Sequence, residues 1–176
     1  MSPEAVRSLA ERCREIRLLD LDVDGVLTAG GVEYTDGGTE SKTFHVRDGT
    51  GLKLWQQAGK HTAWISGRAS PTVARRAAEL GVKPVVEGVG DKLAAFRQVL
   101  GAIGIRPDEA CCVGDDLADL PLLCQCGLAV AVADACVEIR NAAHFITQAA
   151  GGRGAVREVI ALVLRCQGEW QKLVGR

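Results

Sequence analysis

The sequence predicts an α/β fold, a doubly wound parallel sheet with helices on both faces. Short, continuous apolar runs alternate with longer helical patterns along the chain, the order expected of parallel strands joined by crossover helices. At 176 residues the chain has the length of one domain with a substantial core. No internal repeat, low-complexity run or linker divides it, so a single domain over residues 1–176 is expected.

The elements follow in order. Ile16 to Asp22 reads as the first strand. Val32 to Tyr34 and Lys42 to Val46 flank Thr35-Asp36-Gly37-Gly38-Thr39, a glycine turn that predicts a β-hairpin. This hairpin, about residues 30–47, follows the carboxyl end of the first strand, where a flap over a site belongs. His61 to Ser66, Val85-Val86, Ala110 to Val113, Leu128 to Val132 and His144 to Ile146 read as further strands. Helical patterns cover Gly51 to Ala58, Ser70 to Leu80, Asp91 to Leu100, Leu117 to Cys124 and Ala155 to Cys166. The tail, Gln167 to Arg176, is read either as disordered or as reaching a neighbouring subunit.

Nearly half the residues are apolar and the formal net charge is −1, so nothing suggests a nucleic-acid or membrane surface. No apolar run reaches transmembrane length, and the N-terminus lacks the apolar core of a signal peptide. The seven cysteines are odd in number and irregularly spaced. Cys111-Cys112 lies in an apolar strand, Cys124-Gln125-Cys126 ends a helix, and neither is a CxxC pair. Zinc spacing is absent, so buried reduced thiols and a cytoplasmic location are expected. The histidines His45, His61 and His144 carry no ligand spacing, and His61 and His144 read as structural.

The chemistry starts with Asp22-Val23-Asp24-Gly25, where a buried strand ends on two carboxylates. Strand side chains alternate faces, but the chain bends on leaving the sheet, so both acids can converge on one ligand. Paired acids with little solvent cost roughly several kcal/mol unless a cation lies between them. A metal, a proton shuttle or a nucleophile suits the end of a parallel strand; two solvated acids are the alternative. Ser66-Gly67-Arg68 places a hydroxyl, a glycine and a guanidinium after a second strand, suited to an oxyanion or equally to a helix N-cap. Gly90-Asp91-Lys92 opens a helix, where a lysine alone is an ordinary surface cation. Gly114-Asp115-Asp116-Leu117-Ala118-Asp119 sets three acids within five residues. An N-cap needs one acid, so the excess points to a metal or catalytic role. Carboxylates without a histidine or thiolate cluster favour a hard ion such as Mg²⁺.

Together these groups suggest phosphoryl transfer. Mg²⁺ would neutralise the carboxylates, and Ser66 and Lys92 would bind the phosphoryl oxygens where charge accumulates. No G-x-x-x-x-G-K-[ST] occurs, and Gly88-Val-Gly90 and Gly101-Ala-Ile-Gly104 are too sparse for a dinucleotide fingerprint.

The order Asp22-Val23-Asp24-Gly25-Val26-Leu27-Thr28, Ser66, Lys92, Gly114-Asp115-Asp116 resembles the four motifs of the haloacid dehalogenase superfamily of phosphatases. Three further stretches, from Phe44 to Lys53, Ile65 to Arg68 and Arg75 to Gly81, are similar to one capless subfamily, as is Gly151 to Val159. That subfamily hydrolyses 3-deoxy-D-manno-octulosonate 8-phosphate, in lipopolysaccharide synthesis. The resemblance implies a Rossmann-like domain without a cap, and a homotetramer whose hairpins assemble centrally and whose neighbours complete each active site. It implies Asp22 as a nucleophile that becomes an aspartyl phosphate, and Asp24 as acid and then base. It assigns Mg²⁺ to Asp22, the main-chain carbonyl of Asp24, and Asp115, with Asp116 supporting from behind. His45, Arg47, Asp48, Gly49, Lys53, Gly67, Arg68 and Arg76 map onto substrate recognition alongside Lys92. A guanidinium suits the substrate carboxylate, although Arg76 by itself would read as a solvated helix residue.

The chain departs from its relatives at Ala29, where aspartate is common, at Ala118, where asparagine is common, and at Asp20, a polar residue in an apolar strand. Asp20 is either an acid supporting the site or a strand-edge polar group. Three rival readings stand beside the main one. A nine-carbon substrate, 2-keto-3-deoxynononate 9-phosphate, is disfavoured by the run Gly151 to Gly154 followed by Ala-Val-Arg-Glu. A signalling receiver would carry its phosphoacceptor on the third strand rather than in an acid pair ahead of the serine. An inactive module would not need the complete set of reactive side chains.

Overall fold

The structure is a computed structural model that describes residues 7–175; residues 1–6 and Arg176 of the expected domain lie outside the described residues. Its main sheet has six parallel strands: β1 (Leu18–Leu21), β4 (His61–Ile65), β5 (Val85–Val86), β6 (Ala110–Gly114), β7 (Leu128–Ala131) and β8 (Phe145–Ile146). Their spatial order is β5-β4-β1-β6-β7-β8. A separate antiparallel hairpin joins β2 (Glu33–Tyr34) to β3 (Glu40–Ser41). The helices are α1 (Leu9–Glu15), α2 (Val46–Gln57), α3 (Pro71–Leu80), α4 (Lys92–Ile103), α5 (Leu120–Leu123), α6 (Val137–Ala142), α7 (Ala155–Cys166) and α8 (Trp170–Val174).

The chain moves from β1 outward to β4 and β5, then crosses back to β6 and on to β7 and β8. Right-handed crossovers running in opposite directions put their helices on opposite faces. Accordingly α1 and α2 pack with α7, and α4 and α6 pack with α5. β1 and β6 are neighbours, with Leu21 level with Val113, and the winding reverses between them. Their carboxyl ends therefore open the crevice in which sheets of this class bind ligands. Leu18, Leu19 and Leu21 are buried, as a central strand covered on both faces requires.

The sequence reading needs correction in several places. The second hairpin strand is Glu40–Ser41, not Lys42 to Val46. His45 is already the N-cap of α2, so that helix begins at Val46 rather than Gly51. The predicted helix from Leu117 to Cys124 is a 3-10 turn over Leu117–Asp119 followed by α5. Helices α1, α6 and α8 were not anticipated. α1 carries a legible signal: Ser8 Oγ accepts from Glu11 N at 3.3 Å and Ser8 N donates to Glu11 Oε2 at 2.8 Å, a capping box. The described tail is folded onto its own chain. Gln167 Nε2 donates to the carbonyls of Cys13 at 2.8 Å and Ile16 at 2.9 Å. The Trp170 ring packs against the guanidiniums of Arg157 and Arg165, 4.9 and 5.1 Å away.

Candidate active site

Four charged side chains meet at the β1–β6 crevice. Asp22 lies one residue past β1, where its N–H donates to Val113 O at 3.2 Å. Lys92 is the first residue of α4, whose N-cap Asp91 accepts from Ala94 N at 2.9 Å. Its ammonium, 7% exposed, donates to Asp22 Oδ1 at 2.6 Å and to Asp119 Oδ1 at 2.7 Å. Asp119 Oδ2 accepts from Asp115 N at 3.1 Å, which fixes the turn carrying Asp115. Asp22, Asp115 and Asp119 each offer a carboxylate oxygen, all within 4.8 Å of one another.

The electrostatics follow from this crowding. Burial, then the charge of Asp119, pushes Asp22 up to about 6 against the opposing pull of Lys92. Burial, then Asp22 and Asp119, pushes Asp115 up to about 8. Burial pulls Lys92 down, but Asp22 and Asp119 outweigh it and hold the ammonium above its ordinary value. Asp115 Oδ1 is buried without a hydrogen-bond partner. One ammonium thus serves three carboxylates, with an acceptor left over. This donor set is all oxygen and fits a hard divalent cation such as Mg²⁺. Asp22 and Asp115 would hold it, with Asp119 braced between Lys92 and the Asp115 amide.

A pH prediction follows. The folded-state values of Asp22 and Asp115 lie above the unfolded carboxylate value, so metal-free protein loses their contribution as pH rises from roughly 4 through about 8. Differential scanning fluorimetry in chelator is expected to show Tm falling across that window. Added Mg²⁺ should raise Tm most at its alkaline end, where the cation no longer competes with protons. Equal stabilisation at both ends would contradict the assignment.

Glycines make the approach possible. Gly25 has φ +96°, and the Asp115 carboxylate occupies the place its Cβ would take. Gly114 similarly leaves room for Asp119. The Gly25 turn is held by Thr28 Oγ1, which donates to Val23 O at 3.3 Å, and is backed by Gly152 N, which donates to Val26 O at 2.9 Å. Gly25→Ala is expected to cost roughly 1–3 kcal/mol in backbone strain and about 10²-fold in kcat/KM by displacing Asp115. Thermal melts and steady-state kinetics would check both.

Ser66 follows β4 and is buried; its Oγ accepts from Arg68 N at 3.2 Å. Gly67 is exposed beside it. Asp24 faces the hairpin. It pairs with the Lys42 ammonium, whose side chain is 1% exposed, and lies 3.7 Å from Arg68 Nε. Glu40 ties the two cations together, 3.3 Å from Lys42 Nζ and 2.9 Å from Arg68 Nη2, and Tyr34 Oη lies 3.2 Å from the same guanidinium. The flap is thereby latched to Asp24. Lys42, Glu40 and Tyr34 were missed in the sequence, where nothing pairs residues this far apart before the hairpin register is known.

Other predicted residues sit elsewhere. Asp116, expected to support the site from behind, is exposed, and its Oδ1 accepts from Leu117 N at 2.8 Å as a cap; it is Asp119 that braces the Asp115 amide. Asp48 is buried on the face of α2 shared with Leu52 and Trp55, and accepts from Arg157 N at 2.7 Å, capping α7. Burial raises its pKa, partly offset by that N–H. Gly49 leaves space for Arg76, which pairs with Glu79 at 3.2 Å and lies over the Phe44 ring. Lys53 Nζ donates to Glu79 O at 3.4 Å. His45 caps α2 without a side-chain bond, and Arg47 is exposed. None of these six touches the carboxylate cluster within the chain. Asp20 is buried at 2% exposure beneath Lys92 and Asp119, not at a strand edge; burial, then Asp119, raises its pKa well above the carboxylate range. His144 is structural, its Nδ1 accepting from Ala129 N at 2.9 Å.

An acid pair after the first strand, a hydroxyl, a lysine and a second acid group at the switch point define a phosphoryl-transfer site on a Rossmann-like sheet, with no cap domain among the described residues. A family profile described as haloacid dehalogenase-like hydrolase matches residues 84–160. The 3-deoxy-D-manno-octulosonate 8-phosphate phosphatase KdsC of Yersinia pestis is 40% identical over 165 residues, 94% of this chain and 88% of that one. The chain belongs to the haloacid dehalogenase-like hydrolases, in the KdsC phosphatase family. A crystal structure of the Moraxella catarrhalis phosphatase of that name, with magnesium, phosphate and KDO, superposes with a TM-score of 0.92 at 38% identity, covering 94% of this chain and 95% of that one. The cobalt-bound form from Haemophilus influenzae gives a TM-score of 0.87 at 39% identity, covering 89% and 92%.

Proposed function

We propose that the protein is a Mg²⁺-dependent phosphatase that hydrolyses 3-deoxy-D-manno-octulosonate 8-phosphate to the free sugar acid and phosphate. The observation that carries the reading is the meeting of Asp22, Lys92, Asp119 and Asp115 at the β1–β6 crevice. Asp22 attacks the phosphorus, forming an Oδ–P bond as the bond from phosphorus to the sugar oxygen breaks. Asp24 gives that oxygen its proton, then takes one from the water that attacks the aspartyl phosphate and frees Asp22. Ser66 and Lys92 bind the phosphoryl oxygens, and Lys92 also restrains Asp22 in the attacking position. When bound, Mg²⁺ supplies positive charge that offsets the crowded carboxylates and the phosphoryl group. The main-chain carbonyl of Asp24 would join Asp22 and Asp115 in holding it. Arg68, beside Asp24, borders the departing sugar.

The assembly proposed with this reading is a homotetramer in which neighbours complete each site. It is supported by an isolated two-stranded hairpin, marginal alone, that exposes Val32 at 45% and Tyr34 at 63%. Arg47 and Arg76, outside the cluster of their own chain, would be offered to a neighbour. Among the described residues no helix is long and apolar enough to cross a membrane. The free cysteines, four of them buried, support a cytoplasmic, reducing location. Phosphate release with Mg²⁺ from the eight-carbon substrate and from 2-keto-3-deoxynononate 9-phosphate tests the substrate. A clear excess of kcat/KM for the eight-carbon acid is expected; equal or reversed preference would overturn that choice.

A further inference from the structure

The reaction uses none of the seven cysteines, yet two of them meet where the first and seventh helices pack. Cys13 is the residue that α1 buries, and Cys166 is the half-buried last residue of α7. The two helices are in contact, and the residue after Cys166 clamps their junction. Gln167 Nε2 donates to Cys13 O at 2.8 Å, Arg14 O at 3.2 Å and Ile16 O at 2.9 Å, carbonyls at the end of α1, where helical partners run out. With the main chains held so, the Cys13 and Cys166 thiols are hydrogen-bonding neighbours, and both are free.

The other buried thiols lack this arrangement. Cys111 and Cys112 are successive residues of β6 and point to opposite faces of the sheet. Cys112 and Cys126 are neighbours, but both are buried, which closes them to a reagent. In the α1–α7 pair one thiol is reachable and the other waits behind it.

We propose that Cys13 and Cys166 form a thiol–disulfide exchange site, in which Cys166 reacts with a low-molecular-weight disulfide such as oxidised glutathione and Cys13 resolves the product into a disulfide joining α1 to α7. In the first step Cys166 gives its proton to solvent and its thiolate attacks one sulfur of the small disulfide. A bond forms between Cys166 and one glutathione, while the other leaves as a thiolate and takes up a proton. Cys13, deprotonated in turn, attacks the Cys166 sulfur, and the second glutathione leaves and is protonated. Two protein thiols are oxidised and one disulfide is reduced to two thiols. Burial, then the Cys166 thiol beside it, pushes Cys13 up to about 12, which makes it a poor reagent toward solution. Its part as resolver depends on being held next to the reacting sulfur. The site stays reduced in a reducing compartment and closes when the thiol pool turns oxidising. The link encloses roughly 150 residues and restrains the unfolded chain accordingly. Because α1 leads into β1 at Leu18, the staple lies at the amino end of that strand, opposite the crevice.

The test is incubation of the whole chain with oxidised glutathione, then alkylation, peptide mass spectrometry and thermal melts without reductant, in wild type, Cys13→Ala and Cys166→Ser. Wild type is expected to yield peptides linked through Cys13 and Cys166, with a Tm at least about 5 °C above that of the reduced form. Dithiothreitol should reverse both. Cys13→Ala should instead retain glutathione on Cys166, and Cys166→Ser should show neither a link nor an adduct at Cys13. Wild type in which both thiols stay free, the reaction stops at the Cys166 adduct, or either cysteine links elsewhere would overturn the exchange site. An unchanged Tm in the linked form would overturn the staple. Wild type and Cys166→Ser decide the matter even if Cys13→Ala folds poorly.

Discussion

Replacing Asp22 with asparagine is expected to lower kcat/KM by about 10⁴-fold or more, because the proposed nucleophile and a proposed metal ligand are lost together. The fold should survive. Burial and Asp119 already strain the Asp22 carboxylate, pushing it up to about 6, and an amide of the same shape removes that repulsion. Lys92 retains Asp119 at 2.7 Å. The variant should therefore melt no lower than wild type in chelator, and Mg²⁺ should stabilise it less. Circular dichroism melts beside a phosphate-release assay separate the two effects. Activity within about 10-fold of wild type would remove Asp22 from the reaction and favour a non-catalytic module.

Lys92→Ala should damage both stability and catalysis. Lys92 is a nearly buried cation between two nearly buried carboxylates, with Asp20 beneath and Asp115 beside them. Removing one member of such a group costs about 3–5 kcal/mol when the charges left behind stay ionised. Proton uptake by the carboxylates will blunt this, so about 3 kcal/mol is expected near neutral pH, or roughly 6–12 °C in Tm for a domain of this size. The drop should be smaller at acidic pH, where the carboxylates take up protons, and smaller with Mg²⁺. Catalysis should fall about 10²–10³-fold through loss of the stabilisation proposed for the phosphoryl oxygens. Arginine should not restore it, since its planar fork cannot replace an ammonium held between two oxygens. Unchanged Tm and kcat would show that the pair with Asp22 is incidental.

The positions of the candidate site groups were legible because each stands at the carboxyl end of a strand or the start of a helix, where local pattern dictates position. Asp22, Ser66, Lys92 and Asp115 follow directly from the apolar runs that precede them. Asp119 lay in plain view among the acids after Gly114, yet preferring it to Asp116 required knowing that a 3-10 turn follows β6. That turn points Asp116 at its own Leu117 amide and brings Asp119 back beneath Asp115. The residues mapped onto substrate recognition are hard to place from local pattern for a related reason. With α2 starting at Val46, Asp48 falls in helical register with Leu52 and Trp55 on the buried face. Its spacing is that of a core position, and its partner, the Arg157 amide, lies 109 residues away in sequence. The Lys42–Asp24–Arg68–Glu40 network depends on hairpin register, which is not encoded in local pattern.

The most direct test of the account is mass spectrometry of protein acid-quenched while turning over 3-deoxy-D-manno-octulosonate 8-phosphate with Mg²⁺. Formation of an Oδ–P bond at Asp22 predicts a phosphoryl adduct on the peptide spanning Leu18 to Thr28, absent with chelator and absent in Asp22→Asn. An adduct on another residue, or full turnover by Asp22→Asn, would contradict it.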